Sequence, residues 1–240
     1  IKSSAASDVY KRQLSMNVVT GALELGFIYA LVAMALFLSF RVLNIADMTT
    51  DGSFTLGCAV CCQVTLMGHP FLGLLAAMAA GVLSGYITAF LQTRLGVESI
   101  LAGIIVNTGL YTINLMAMGF SSTLSVFKCD TIFSLAKSAL SGVLGGALAG
   151  WSKLLVAAVI ALTVALLLTW FLKTRLGLSI RATGDSPDMI RASSVNPAFT
   201  ITVGLCISGS LTALSGAVLA QYQKSCDINL GTGMVTIALA

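Results

Sequence analysis

Leu154 to Leu172 is a run of nineteen residues without a charge, with Trp151 just before it and Trp170 near its other end. At about 1.5 Å per residue, a helix of that length covers most of the roughly 30 Å of hydrocarbon in a bilayer. Lipid offers no partner to a free backbone N–H or C=O, so a chain that enters it must be helical or a closed barrel. Tryptophans at both ends match the interfacial belts of a true span. Val18 to Leu43, Phe71 to Gln92, Ile100 to Met118 and Ala198 to Tyr222 are further apolar runs of crossing length. Phe54 to Met67 is too short for a straight crossing and needs the segment before it to complete one. The sequence therefore predicts an all-α, polytopic transmembrane helical bundle of about six spans. Charged residues make up 9% of the chain, against about a quarter in soluble domains, and no room is left for a separate soluble domain. The net charge of +4 carries no suggestion of nucleic acid, because the basic residues lie between spans.

Between two of these runs sits a polar insert, Lys173 to Pro197, that holds four of the thirteen basic residues. A mere connector could be far shorter. Gly184 is read as a turn, since the missing Cβ frees its backbone. Ser186 then has the chemistry of a helix cap, Pro187 that of the first helical position, and Asp188 that of the first turn, where the dipole favours an acid. This predicts a short helix from about Pro187 to Ser194. Asn196 and Pro197 repeat the cap-then-proline signal at the start of the next span. The insert is thus a compact helical elbow at the membrane surface, with Met189 and Ile190 as apolar knobs and Arg181 and Arg191 as charged flanks.

The elbow reads Leu-Gly-x-x-x-Arg-Ala-x-Gly-Asp-x-Pro, then a short helix and Asn-Pro, on Leu176, Gly177, Arg181, Ala182, Gly184, Asp185, Pro187, Asn196 and Pro197. This pattern resembles the coupling loop of ABC importer permeases of the branched-chain amino acid and ribose type. A second stretch, FRVLNIADMTTDGSFTLG from Phe40 to Gly57, is similar to the segment after the first span in the subgroup linked to tryptophan, tyrosine and uncharacterised small-solute uptake. The resemblance runs from about Gly21 to the last residue. It implies a membrane-spanning permease subunit of an ABC transporter that imports a small solute, an amino acid among the candidates. The expected partners are an extracytoplasmic solute-binding protein, a separate ATP-binding subunit, a second permease subunit in a homodimer, and the lipid bilayer. The expected place is the cell (plasma or inner) membrane, with multiple passes, a cytoplasmic coupling helix in the elbow, and neither a cofactor nor catalytic residues. No GxxxxGKS/T phosphate loop occurs, so P-loop ATP hydrolysis falls to the partner. Coupling to that ATPase is assigned to Arg181, Gly184, Asp185, Pro187, Met189, Ile190 and Arg191.

Asn44 to Ser53 carries Asp47 and Asp51 at the foot of an apolar run. Four residues apart, they share a helical face if this part is helical. Flexible, charged residues there suggest a broken helix, which membranes tolerate only against protein or a water-filled cavity. An exposed loop whose Asp51 caps a helix starting near Phe54 accounts for the same residues, and the resemblance tips the reading toward a gate near the pathway. Asn107 and Asn114, seven apart on one helix face, either bond between helices, the commoner use, or line a path. The pathway or gate is assigned to Asp47, Asp51 and Asn107. Glu24, near the start of the first span, either reaches the headgroups or belongs to the pathway. The cysteines at 58, 61 and 62 fit small apolar packing residues better than a metal site, since His69 is the only histidine and sits in a turn before Pro70.

The remaining signals concern packing and topology. Ala77, Gly81, Gly85 and Ala89 form one stripe of small residues at intervals of four, and Gly204, Ser208, Thr212 and Gly216 form another, both suited to close helix contact. LQTRLGV at Leu91 and LKTRLGL at Leu172 each close a span with an arginine, which places both at the cytoplasmic face. Gly119 to Gly150 is read as an extracytoplasmic loop with a short surface helix, a dock for the binding protein. Residues 1–13 are polar, lack a signal-peptide core, and look like a translated adapter, a non-native leader. Residues 14–240 are then a single transmembrane domain, cut short at GTGMVTIALA, which is about half a span. A second functional reading is an ion-coupled secondary transporter, for which broken helices with carboxylates are also a signature.

Overall fold

The computed structural model describes residues 16–127, 129–144, 151–192 and 196–239. Helix α1 (Met16–Leu36) runs on into a π-helix, Phe37–Val42. It is followed by α2 (Thr50–Leu66), α3 (Pro70–Arg94), α4 (Ser99–Ala117), α5 (Ile132–Leu144), α6 (Ser152–Leu172), α7 (Arg175–Asp185), α8 (Pro187–Ala192), α9 (Pro197–Gln223) and α10 (Met234–Leu239). Among the described residues, five helices are long and apolar enough to cross a membrane: Val18–Val42, α3, α4, α6 and α9. This is the all-α bundle the apolar runs predict.

The sixth expected crossing differs. Helix α2 has 17 residues, most of them buried, and the backbone before it is irregular. Asn44 ends the first helix in the left-handed region, at φ 56°, a conformation that asparagine tolerates better than most residues. The break lets the chain re-enter as α2 inside the bundle, shielded from lipid by its neighbours. Asp47 therefore lies outside the helix and Asp51 in its first turn, so the two do not share a helical face. The helix starts at Thr50, not near Phe54.

Helix α9 is the centre. In its most apolar 18-residue window 83% is buried, against 17% for α6. The stripe on α3 meets it: a Cβ on Gly81 would strike the Gly209 carbonyl, and one on Gly209 the Gly81 carbonyl, so the two backbones touch. The face of α9 turned to α3 carries Leu205, Gly209 and Ala213, one residue on from the stripe legible in the sequence. That second stripe faces α1 and α2 instead. Gly204 lies under the Leu43 side chain, which a Cβ there would strike, Ser208 donates to the Ala35 carbonyl at 3.0 Å, and Gly216 packs on the Phe54 carbonyl.

At the end of the bundle away from the elbow, β1 (Thr123–Ser125) pairs antiparallel with β2 (Ser225–Asp227), and α5 is held by a bond from the Ile132 N–H to the Gln221 side chain, 3.1 Å. Glu24 is buried there, 6% exposed, and accepts from the Tyr222 hydroxyl at 2.8 Å. The Lys153 ammonium lies 5.2 Å above the Tyr222 ring. A headgroup-reaching role for Glu24 is thereby excluded, and the carboxylate is an internal tie between α1 and α9. Cys58, Cys61 and Cys62 are buried packing residues, and no cluster suited to a metal occurs among the described residues.

Candidate functional site

A cavity of about 400 Å³ lies between the start of α2, α4 and the chain after β2. Small-molecule pockets span roughly 300–1,000 Å³. Asp51, Thr55, Asn107, Thr108, Tyr111 and Asn114 are among its lining residues. Asp51 does more than start α2. Its carboxylate accepts the backbone N–H groups of Gly233 at 3.0 Å and Val235 at 3.1 Å, at the N-terminus of α10, where a helix favours negative charge. Sequence reasoning missed this contact because the partners are about 180 residues apart and α10 reads locally as an incomplete span.

Asn107 and Asn114 divide the two roles open to them. Asn114 is buried and donates to the Gly52 carbonyl at 3.2 Å, a bond between α4 and α2. Asn107 is half-buried on the cavity wall with its amide oxygen against Gly52, where a Cβ would not fit. Asp47 is not part of this cavity. It is 2% exposed and turned into its own loop, accepting from the Thr49 N–H at 3.0 Å and from the Thr49 hydroxyl.

The elbow is more regular than its glycine suggests. The Thr174 side chain caps α7 by accepting from the Gly177 N–H at 3.3 Å. Gly177, Ile180 and Thr183 are buried at helical spacing, while Leu176, Leu178, Arg181 and Asp185 are exposed. Gly184 is not a turn: it is helical, and its missing Cβ is where the Val42 carbonyl sits. Alternating small and apolar residues on one face of LGLSIRATGD carry the helix, and the glycine is needed for close approach. The Thr183 and Thr200 hydroxyls bond at 2.8 Å, so α7 is tied both to the end of the first span and to the start of α9.

Helix α8 follows, and Asn196 caps α9 by accepting from the Ala198 N–H at 3.0 Å. Ile190 is buried, 6% exposed, so it anchors α8 and is not an available knob. Arg191 is exposed. The side chains of Pro187 and Met189, and the expected extension of α8 to Ser194, lie outside the described residues. Arg181 and Asp185 share a second cavity, about 520 Å³, with Arg41 and Phe37. Arg94 lies beside Asn196 and Ala198, which puts both arginine-ended spans at the elbow end.

The two sites are linked by contact. After Val42, the Leu43 side chain packs on Gly204 and Met48 packs on Gly103 of α4. Four residues beyond Asp47, Asp51 opens the cavity wall.

Residues 18–240 match the model of a family described as branched-chain amino acid transport system / permease component. The chain is 29% identical over 226 residues to a tyrosine transport system permease protein of Clostridioides difficile (strain R20291), an alignment covering 94% of this chain and 72% of that one. It is 31% identical over 224 residues to an uncharacterized protein of Rickettsia prowazekii (strain Madrid E), covering 93% and 75%. No solved structure gives a significant match.

Proposed function

The chain belongs to the family of branched-chain amino acid transport permease components, multi-pass membrane proteins, and from that premise we propose that it is the non-catalytic permease subunit of an ABC importer for an amino acid such as tyrosine. An extracytoplasmic binding protein delivers the solute, a separate ATP-binding subunit supplies the stroke, and a second copy of the permease completes the path. The relative from Clostridioides difficile is named for tyrosine transport, and that name supports the solute class.

The observation that carries the mechanism is the seat of Gly184 on the Val42 carbonyl. The ATPase engages α8 and the exposed Arg181, Asp185 and Arg191, with Pro187 and Met189 on the same short helix. Movement of α8 displaces α7, which presses on the end of the first span at Val42. The displacement passes through the packed Leu43–Gly204 and Met48–Gly103 contacts to Asp51, which holds α10 against the cavity. Coupling of this kind needs contiguous elements with two arrangements. The irregular segment 43–49 is the natural hinge, with Asp47 fixing its inner turn and Asn107 facing the path.

The ion-coupled reading has less support, because the family match is to a transport-system permease component and Asp47 is turned into its own loop, where Thr49 supplies its donors.

The test is Gly184→Ala in the assembled transporter. A Cβ there strikes the Val42 carbonyl while leaving α8 unchanged, so the ATPase subunit should still co-purify. Solute-stimulated ATP hydrolysis and uptake should fall at least ten-fold. Uptake at the parent level in this variant, or uptake that persists without ATP and collapses with an uncoupler, would sink the proposal.

A further inference from the structure

Nothing in the fold uses the cation at the end of α3. A groove of about 380 Å³ lies between the last turns of α3 and the first turns of α9. The Arg94 guanidinium stands at its rim, on the last residue of α3. It is exposed and has neither an ion pair nor a hydrogen bond among the described residues. Across the rim, Asn196 accepts from the Ala198 N–H with its amide oxygen at 3.0 Å, which leaves its NH2 group two donors to offer.

The groove's other polar atoms are neutral. The Thr93 and Thr202 hydroxyls donate within their own helices, to the Ala89 and Ala198 carbonyls at 2.7 Å each, and the Tyr86 hydroxyl completes the set. Among the described residues no carboxylate lines the groove, unlike the cavity that Arg41 and Arg181 share with Asp185. The wall therefore carries one uncompensated positive charge, which favours an anion.

Below the rim the groove is aromatic. Phe90 and Tyr86 lie one and two turns inside α3, about 6 Å and 12 Å from Arg94 along the helix axis, with ring centroids 6.5 Å apart. Phe199 lines the groove from α9. The three rings are 45–55% exposed on helices of crossing length, so lipid is what they meet. A guanidinium where the span ends, above rings inside the span, matches a phosphate with acyl chains beneath it. Arginine holds phosphate oxygens through paired N–H bonds, and basic pockets between spans bind anionic headgroups. A zwitterionic headgroup would bring its own cation beside Arg94.

We propose that the groove between α3 and α9 is a binding site for an anionic phospholipid, with the phosphate on Arg94 and Asn196 and the acyl chains along Phe90, Tyr86 and Phe199. The site stands on the membrane fold and does not need the permease reading.

The test uses the full chain, with the subunits that co-purify with it, in nanodiscs of equal parts phosphatidylglycerol and phosphatidylcholine. One lipid or the other carries a diazirine in its acyl chain. After irradiation, lipid adducts on the peptides spanning Tyr86 to Arg94 and Asn196 to Thr202 are quantified by mass spectrometry. The phosphatidylglycerol adduct should exceed the phosphatidylcholine adduct at least five-fold. Arg94→Gln, at an exposed position, should reduce that ratio at least three-fold, and Arg94→Lys, which keeps the charge, should reduce it less. Arg175→Gln removes an equal charge from the elbow end outside the groove and should hold the ratio within two-fold. A ratio near one in the parent, or one that Arg94→Gln and Arg175→Gln lower equally, overturns the proposal. Loss of the preference on adding inorganic phosphate at constant ionic strength also overturns it, since the site would then take a free anion. So does the absence of either lipid adduct on these peptides, the result expected if a second copy or another subunit covers the groove.

Discussion

At the scale of the residue, the polar groups are specific about their partners. Glu24 and Tyr222 lie at opposite ends of the sequence, yet the buried carboxylate depends on that hydroxyl. Removing one partner of a buried hydrogen bond costs about 1–3 kcal/mol, because the other is left unmet. Tyr222→Phe should therefore lower the thermal unfolding midpoint of the purified chain. Glu24→Gln, which can still accept from the hydroxyl, should lower it less. A Tyr222→Phe variant as stable as the parent would show that Glu24 finds its donor elsewhere. Asn114 illustrates how far a sequence goes. Its spacing from Asn107 places both on one face, but which amide bonds a helix and which faces a cavity depends on Gly52, more than fifty residues away.

At the scale of the element, small residues decide how closely helices approach. Gly81 and Gly209 leave no room for a Cβ, whereas nothing lies within 4 Å of the position a Cβ would take on Gly109. Gly81→Ala should destabilise the bundle by more than 1 kcal/mol or so, through overpacking. Gly109→Ala should be neutral or stabilising by up to about 1 kcal/mol, since alanine is the better helix former. Size-exclusion profiles of the solubilised variants after a heating series separate the two. If both behave alike, the close approach of α3 and α9 is wrong. The spans were legible because apolar runs of crossing length have few alternatives, and the caps at Asn196 and Pro197 were legible because their chemistry is local. Helix α7 was not, because Gly184 looks the same in a turn and in a tight helix contact. The Asp51 contact with α10 was hidden for a different reason: the bond joins segments distant in sequence, and a six-residue helix has no periodicity to read.

At the scale of the whole molecule, the elbow and the cavity sit at separate places on one chain and are joined through the end of the first span. If the elbow serves the ATPase and the cavity the solute, the first must change the second. The broken helix provides the physical means, because a packed bundle shifts between discrete arrangements and does not deform smoothly. The measurement that bears on this most directly is the modification rate of Thr112→Cys by an impermeant thiol reagent outside proteoliposomes, without nucleotide and after trapping with ATP and vanadate. The account predicts at least a ten-fold difference between the two states, abolished by Gly184→Ala. Equal rates in the parent, with the nucleotide trapped and the ATPase bound, would contradict it.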